Sequence, residues 1–238
     1  MRKIHLLLFV VLQFLAIDAF AQFEGVIKMK MTSKQANGDM TFSLSDKGQR
    51  MDADMTIPQM SGPAKTSVIM RKGEPDVVYV LMHMNKSYMK MNKQGNPNAQ
   101  AKDDKKYTVK NLGKEKMAGY MCQHVKVTGE SMDMDLWTTK EFMDFYTFQQ
   151  MQDKNSKMAN SALYTELKKA GADGFPVKVI QTVEGDKMTM ELVSATKQSV
   201  PASAFDIPAG YGDMSGMMQM SPDQMKQMQE MMRKRQPK

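Results

Sequence analysis

The sequence predicts a mainly β fold with a little helix, built on an antiparallel sheet. Three observations carry this reading. Short segments alternate apolar and polar residues with a period of two, as half-buried strands do. Turn clusters such as Asn37-Gly38, Asp46-Lys47-Gly48 and Gly73-Glu74-Pro75-Asp76 separate these segments at hairpin spacing. Later in the chain the spacing becomes helical, around Phe142, Phe145, Tyr146 and Phe148 and again over 161–170.

Residues 23–32 place Phe23, Ile27, Met29 and Met31 on one face. The polar run 33–39, with Asn37-Gly38, predicts a hairpin turn. Met40, Phe42 and Leu44 continue the apolar face on the return strand. Met51, Ala53, Met55 and Ile57 carry it onto a third strand, against Asp52, Asp54 and Thr56. The stretch 58–63 breaks the pattern with two prolines. Two more strands follow over 64–71 and 77–84, and an Asn85-Lys86 turn leads to 87–92, where Met89 and Met91 point inward. Residues 92–106, rich in Asn, Gln, Lys and Asp, predict an exposed loop.

A short strand over 107–111 precedes a longer one over 113–127. On the latter, Met121, Gln123, Val125 and Val127 face one way, and Tyr120, Cys122, His124 and Lys126 the other. Over 131–138, Met132, Met134 and Leu136 oppose Asp133, Asp135 and Trp137. A helix over 139–152, capped by Thr138 or Thr139, and a second over 161–170, ended by Gly171 and Gly174, come next. A hairpin of 175–183 and 187–196, turning at Glu184-Gly185-Asp186, and an extended closing segment over 200–211 complete the domain.

The chain opens MRKIHLLLFVVLQFLAIDAFAQ. Arg2 and Lys3, an apolar run from Leu6 to Leu15, and small Ala19 and Ala21 describe a secretory signal peptide cleaved after Ala21. Gln22, where a cysteine would be needed, excludes the usual bacterial lipid anchor. The expected organisation is a signal peptide over 1–21, the β domain over 22–212, and a Met-rich basic tail over 213–238, partly helical or disordered. The expected compartment is the periplasm, with secretion as the alternative. Losing Arg2, Lys3 and Asp18 takes the formal charge from +7 to +6. Much of that surplus sits in Arg233, Lys234, Arg235 and Lys238, a tail suited to peripheral contact with anionic lipid. Nucleic acid is not an expected partner of an exported chain.

Methionine is the compositional anomaly, with 29 residues. Met-x-Met pairs recur at Met29/Met31, Met82/Met84, Met89/Met91, Met132/Met134, Met188/Met190 and Met218/Met220. On a strand each pair puts two thioethers on one face. Methionine is unbranched and adaptable, so such a face is either an ordinary core or a plastic apolar cavity. The cavity reading takes a lipid or other hydrophobic small molecule, lined by Met29, Met31, Met40, Phe42, Met82, Met84, Met89, Met91, Met121, Val125, Met188 and Met190.

The alternative is soft-metal chemistry, because thioethers select Cu(I). Its candidates are Met217, Met218, Met220, Met225 and Met228 in the tail, with Cys122 and His124 on the strand face they share. The same density of methionine could also act as an oxidant sink. His83 would point away from Met82 and Met84 on a strand, so those three do not converge. The lone Cys122 can make no internal disulfide. No catalytic constellation is expected: Cys122 and His124 would lie about 6 to 7 Å apart along a strand, too far for a nucleophile–base pair. No cofactor-binding glycine loop occurs, and no cofactor is expected.

Gly113, then Ala118-Gly119-Tyr120 and Cys122, then Trp137-Thr138-Thr139, and finally Ile207-Pro208-Ala209-Gly210-Tyr211 resemble a family of exported bacterial proteins of unassigned function. That family is similar in fold to the Lol carrier and receptor, which move lipoproteins to the outer membrane. The resemblance spans most of residues 23–212. It implies a curved antiparallel sheet, a half-open β-barrel lidded by short helices, whose concavity holds acyl chains. It does not imply lipoprotein transport, since no residue here matches a functional position of that carrier.

Overall fold

The computed structural model describes residues 23–60, 62–92, 106–129, 132–152, 162–183 and 185–216. The expected signal peptide, most of the 92–106 segment and the tail from 217 lie outside these residues. The strands are β1 (Gly25–Thr32), β2 (Asn37–Leu44), β3 (Gly48–Thr56), β4 (Ala64–Arg71), β5 (Val77–Met82) and β6 (Ser87–Asn92). They continue with β7 (Tyr107–Met117), β8 (Tyr120–Gly129), β9 (Met132–Asp144), β10 (Gly174–Val183), β11 (Asp186–Lys197) and the short β12 (Gly212–Asp213). Helices α1 (Phe145–Gln152) and α2 (Ala162–Lys169) fall between β9 and β10.

All of these strands join one 12-stranded sheet in the order β12-β6-β5-β4-β3-β2-β1-β11-β10-β9-β8-β7. Every pairing is antiparallel except β12 on β6. The order ends at β12 and β7, so the sheet is open rather than a closed barrel.

Alternation sorts the sheet into two faces. The inner face carries the main core: Ile27, Met29, Met40, Phe42, Met51, Val125, Leu136 and Met190 are all buried there with the aromatic residues of α1. On the other face the chain after β11 crosses back over β3–β6. Its 3-10 turn, Ala202–Phe205, sets Val200 and Phe205 on Ile69, Tyr79 and Leu81 as a second core. Hydrogen bonds fix this strap: Arg71 Nε donates to Phe205 O at 2.9 Å and Arg50 Nη1 to Ala204 O at 3.1 Å. Beyond it, Met214 N donates to Tyr88 O at 2.8 Å and Ser215 Oγ accepts from Lys90 N at 2.7 Å. The sheet thus continues past the boundary expected at residue 212.

Four local expectations are corrected. Asn37 and Gly38 already pair with Thr32 and Met31, so the hairpin turns earlier, over 33–36. Ser33 closes it, its hydroxyl accepting from the Gln35 and Ala36 amides at 3.1 and 3.0 Å. Gly38 is needed for close approach instead: a Cβ there would meet Asp54 O at 2.1 Å.

The strand expected over 113–127 is a hairpin. Ala118 and Gly119 have φ of 50° and 92°, the positive pair of a two-residue turn that matches strand twist. The helix expected from 139 begins at Phe145, because β9 keeps pairing with β10 through Thr139 and Asp144. Its cap is therefore Asp144, whose carboxylate accepts from Thr147 N at 2.6 Å, and not Thr138 or Thr139. The last strand before the β5–β6 turn stops at Met82, so His83 and Met84 lie in the turn.

Candidate functional site

Residues paired directly across antiparallel strands share a face, so the register lays out the inner surface in rows. One row runs Ile27, Phe42, Met51, Val68, Val80, Met89. The next runs Leu192, Met29, Met40, Ala53, Thr66, Met82. The third runs Met190, Met31, Gly38, Met55, Ala64. Met188 and Met134 extend the same face through Gln181, and Met91 joins it opposite Val78.

One end of this face is filled. Phe148 of α1 lies 5.6 Å from Phe42 and 5.2 Å from Phe175 between ring centroids, and Phe142 meets Phe175 at 5.4 Å. Phe42, Phe148, Phe175 and Met151 are among the largest fully buried side chains. Here side chains occupy the space that the sequence left open as a cavity. Towards the opposite end, where β1, β3 and β5 finish and β11 starts, the face grades from buried to half-buried. Met31, Met55, Met82 and Met188 are half-buried there. Met89 and Met91 on β6 are half-buried too, but in the row of Phe42 and beyond it. Flexible thioethers, not rings, dominate this end.

Ten of the twelve residues expected to line the cavity therefore share the inner face. Met84 and Met121 do not: they are 68% and 58% exposed. Met84 is carried off the sheet by the β5–β6 turn. Met121 follows the unforeseen turn at Ala118-Gly119.

Behind the half-buried end, on the outer face, lies a polar relay that links residues far apart in sequence. Arg50 donates from Nε and Nη2 to the Asp52 carboxylate at 2.9 and 2.7 Å. Ser67, fully buried, donates from its hydroxyl to Asp52 at 2.5 Å. His83 Nε2 lies 2.6 Å from that hydroxyl and Nδ1 lies 2.5 Å from the Tyr211 hydroxyl. With the Ser67 proton on Asp52, Nε2–H donates to Ser67 and Nδ1 accepts from Tyr211. Every donor is then committed and the serine is out of reach of substrate, so the arrangement braces the strap against the sheet.

Beside it, a cleft of about 580 Å³ is lined by Lys28, Asp39, Thr41, Asp52, Asp54, Lys65 and His83, with Val193, the bulged residue of β11, and with Met29, Ala53 and Thr66 of the second row. Most of its lining residues are polar or charged. Sequence reasoning missed the relay because its members are contributed by β3, β4, the β5–β6 turn and the closing segment. No local spacing joins them.

Cys122 and His124 do not form a pair of ligands. Cys122 is fully buried in the main core, its thiol set 3.6 Å from Tyr120 O, and burial pushes it up to about 11. His124 stacks on Trp137 with centroids 4.1 Å apart. Its Nδ1 lies 3.1 Å from Glu115 and its Nε2 3.4 Å from Asp135, so the ring meets carboxylates and not the Cys122 thiol. Lys126 beside them is held above the usual lysine range by hydrogen bonds to Asp133 and Asp135. Among the described residues no group of three or more His, Cys, Asp or Glu side chains is placed to hold a metal ion. Met217, Met218, Met220, Met225 and Met228 lie outside the described residues. No described helix is long and apolar enough to cross a membrane.

Among curated proteins none matches the chain. Solved structures align with it at low identity. MucB, crystallised in complex with MucA(peri), is 12% identical with a TM-score of 0.41, and the alignment covers 80% of this chain. The chain spans only 56% of MucB, about half of its length. LprF from Mycobacterium bovis is 10% identical over 82% of this chain and 92% of its own, at a TM-score of 0.32. A Vibrio parahaemolyticus domain, provisionally assigned to outer membrane lipoprotein sorting, is 11% identical over 76% of this chain and 88% of its own, at 0.33. None of these alignments transfers a function. Residues 23–211, from the first described residue to the tyrosine of the relay, match the family described as Domain of unknown function (DUF4412), and the chain belongs to that family.

Proposed function

We propose that the mature chain is a periplasmic, non-catalytic binding protein that takes a lipid or similar hydrophobic molecule on the methionine-rich end of its inner face. The observation that carries this reading is the grading of the cross-strand rows. Aromatic side chains, Phe148 of α1 among them, fill one end. Half-buried Met31, Met55, Met82 and Met188 leave the other end accessible. Thioether side chains change rotamer at little cost, so such a surface remodels around an acyl chain without a preformed hole. Only dispersion and apolar burial are asked of it, which fits the absence of a convergent charge on these rows.

Lipid extraction and native mass spectrometry of the chain recovered from its own envelope test the reading directly. A bound lipid is expected, together with saturable binding of a fluorescent fatty acid. Replacing Met31, Met82 and Met188 together by glutamine is expected to weaken that binding about tenfold, equivalent to ~1.4 kcal/mol. A chain that emerges empty and binds no apolar probe removes the reading.

A further inference from the structure

The half-buried end of the inner face also exposes two thioethers on adjacent turns, beside lysines that form no ion pair among the described residues. Met84, in the β5–β6 turn, is 68% exposed, and Met60, in the β3–β4 loop, is 42% exposed. The two loops are neighbours, because β4 pairs with β5 and His83 N donates to Lys65 O at 3.1 Å. The relay through His83 and Tyr211 anchors the turn from behind, so Met84 projects from a fixed support. Lys34, Lys86, Lys106 and Lys187 stand exposed at the same end, and none forms an ion pair among the described residues. The one described carboxylate in these turns, Asp186, accepts the Lys34 backbone amide at 3.2 Å. The β2–β3 and β4–β5 turns at the opposite end set Asp46, Glu74 and Asp76 against Lys47 and Lys72, so they carry no such surplus of lysine.

We propose that this end docks on a bilayer surface bearing anionic phospholipid, with Met60 and Met84 entering the headgroup region and the lysines meeting lipid phosphates. Lysines held near such a surface each add to the attraction at physiological salt. Two thioethers add a modest apolar term, so the contact is weak per group, additive and reversible. The docked orientation points the accessible methionine rows at the lipid. The inference extends the binding reading, yet docking and ligand binding fail separately: docking is measured on the chain whether or not it retains a ligand.

The test uses the full mature chain with one added cysteine, from Met84→Cys, Met60→Cys or Met121→Cys, labelled with an environment-sensitive fluorophore. Cys122 is fully buried with a suppressed thiolate, so it stays unlabelled at neutral pH. Met121 is exposed at the far end of the sheet and serves as the orientation control. With vesicles of phosphatidylcholine and phosphatidylglycerol, labels at 84 and 60 are expected to shift to the blue while that at 121 does not. Partition onto these vesicles should exceed that onto phosphatidylcholine alone by about tenfold or more, and fall by a similar factor when the four lysines become glutamine. Vesicle binding with labels 84 and 60 still in water, as the basic tail alone would produce, overturns the proposal. So does an equal shift at 121, equal partition onto the two vesicle types, or no binding at all.

Discussion

The two ends of the inner face differ in side-chain chemistry, and that difference separates what is built to stay closed from what is free to rearrange. At the filled end Phe42, Phe142, Phe148 and Phe175 meet at 5.2 to 5.8 Å between centroids, edge-on or tilted. Rings have two rotatable bonds and a preferred mutual geometry, so they pack once and stay. At the other end the same face is continued by Met31, Met55, Met82 and Met188, half-buried and with a rotatable bond more. That end is instead braced from behind, by the polar relay of Arg50, Asp52, Ser67, His83 and Tyr211.

The sharpest way to break this contrast is to remove a ring. Phe175 is fully buried and touches Phe42, Phe142 and Phe148. Phe175→Ala is expected to cost about 3 to 5 kcal/mol in chemical denaturation, the transfer and cavity terms together. A loss under ~1 kcal/mol would mean that the filled end collapses freely and is no more rigid than the methionine end.

Thiol chemistry reads the same packing by a second route. Cys122 lies near the filled end and its thiol is pushed up by burial to about 11, against an ordinary 9.0. At pH 9 its thiolate fraction makes it roughly fiftyfold less reactive to a small disulfide reagent than a free thiol, before burial slows access further. The folded group ionises later than the unfolded one, so the stability it contributes is present below the ordinary value. That stability is lost as pH rises through about 11. Cys122→Ala removes its share of the alkaline fall, measured by unfolding midpoints across that window. Rapid labelling of native Cys122 at pH 9 would show the filled end to be open.

Much of this contrast was legible in the sequence, for a physical reason. Period-two alternation needs only the pleat, and the strands from Gly25 to Asn92 keep it almost without interruption. The inward parity of Met29, Met40 and Phe42 followed directly. What was not legible depends on contacts remote in sequence. Thr139 to Asp144 carries Phe142 at helical spacing from Phe145 and Tyr146, yet pairing with Phe175 and Gly174 holds it in the sheet. Ala118-Gly119 hid a turn because alanine at positive φ is a weak signal beside Asn-Gly. Asn37-Gly38 misled for the converse reason, its glycine being required by the β3 backbone. The relay had no signature, since Tyr211 lies 128 residues from His83.

The brace behind the methionine end gives the next smaller effects. Ser67→Ala leaves the His83 N–H without its acceptor, while Asp52 Oδ1 keeps Arg50, at a cost of about 1 to 3 kcal/mol. Tyr211→Phe removes a single hydrogen bond to His83 and should cost about 0.5 to 1.5 kcal/mol. If both variants match the parent in thermal unfolding, the strap is held without the relay, by Val200, Phe205 and the Arg71 and Arg50 hydrogen bonds.

The smallest stability effect is expected where the functional effect is largest. Met55 and Met82 are half-buried on the inner face, Met55 opposite Gly38 and Ala64, and Met82 opposite Thr66 and Ser87. Neither has a close-packed ring around it, and glutamine has a similar length. Replacing both by glutamine should therefore change unfolding free energy by no more than ~1 kcal/mol, the range of partly exposed positions. Each amide nevertheless places a polar group where an acyl chain would lie, and an amide forced against hydrocarbon without a partner costs about 1 to 3 kcal/mol. Fatty-acid probe affinity should fall several-fold while the melting temperature stays nearly constant. The same two substitutions at Met29 and Met40, buried in the row that includes Leu192, should reverse the ratio, with stability lost first. A large stability loss at 55 and 82 would place them in the core, and the two ends of the face would then be one.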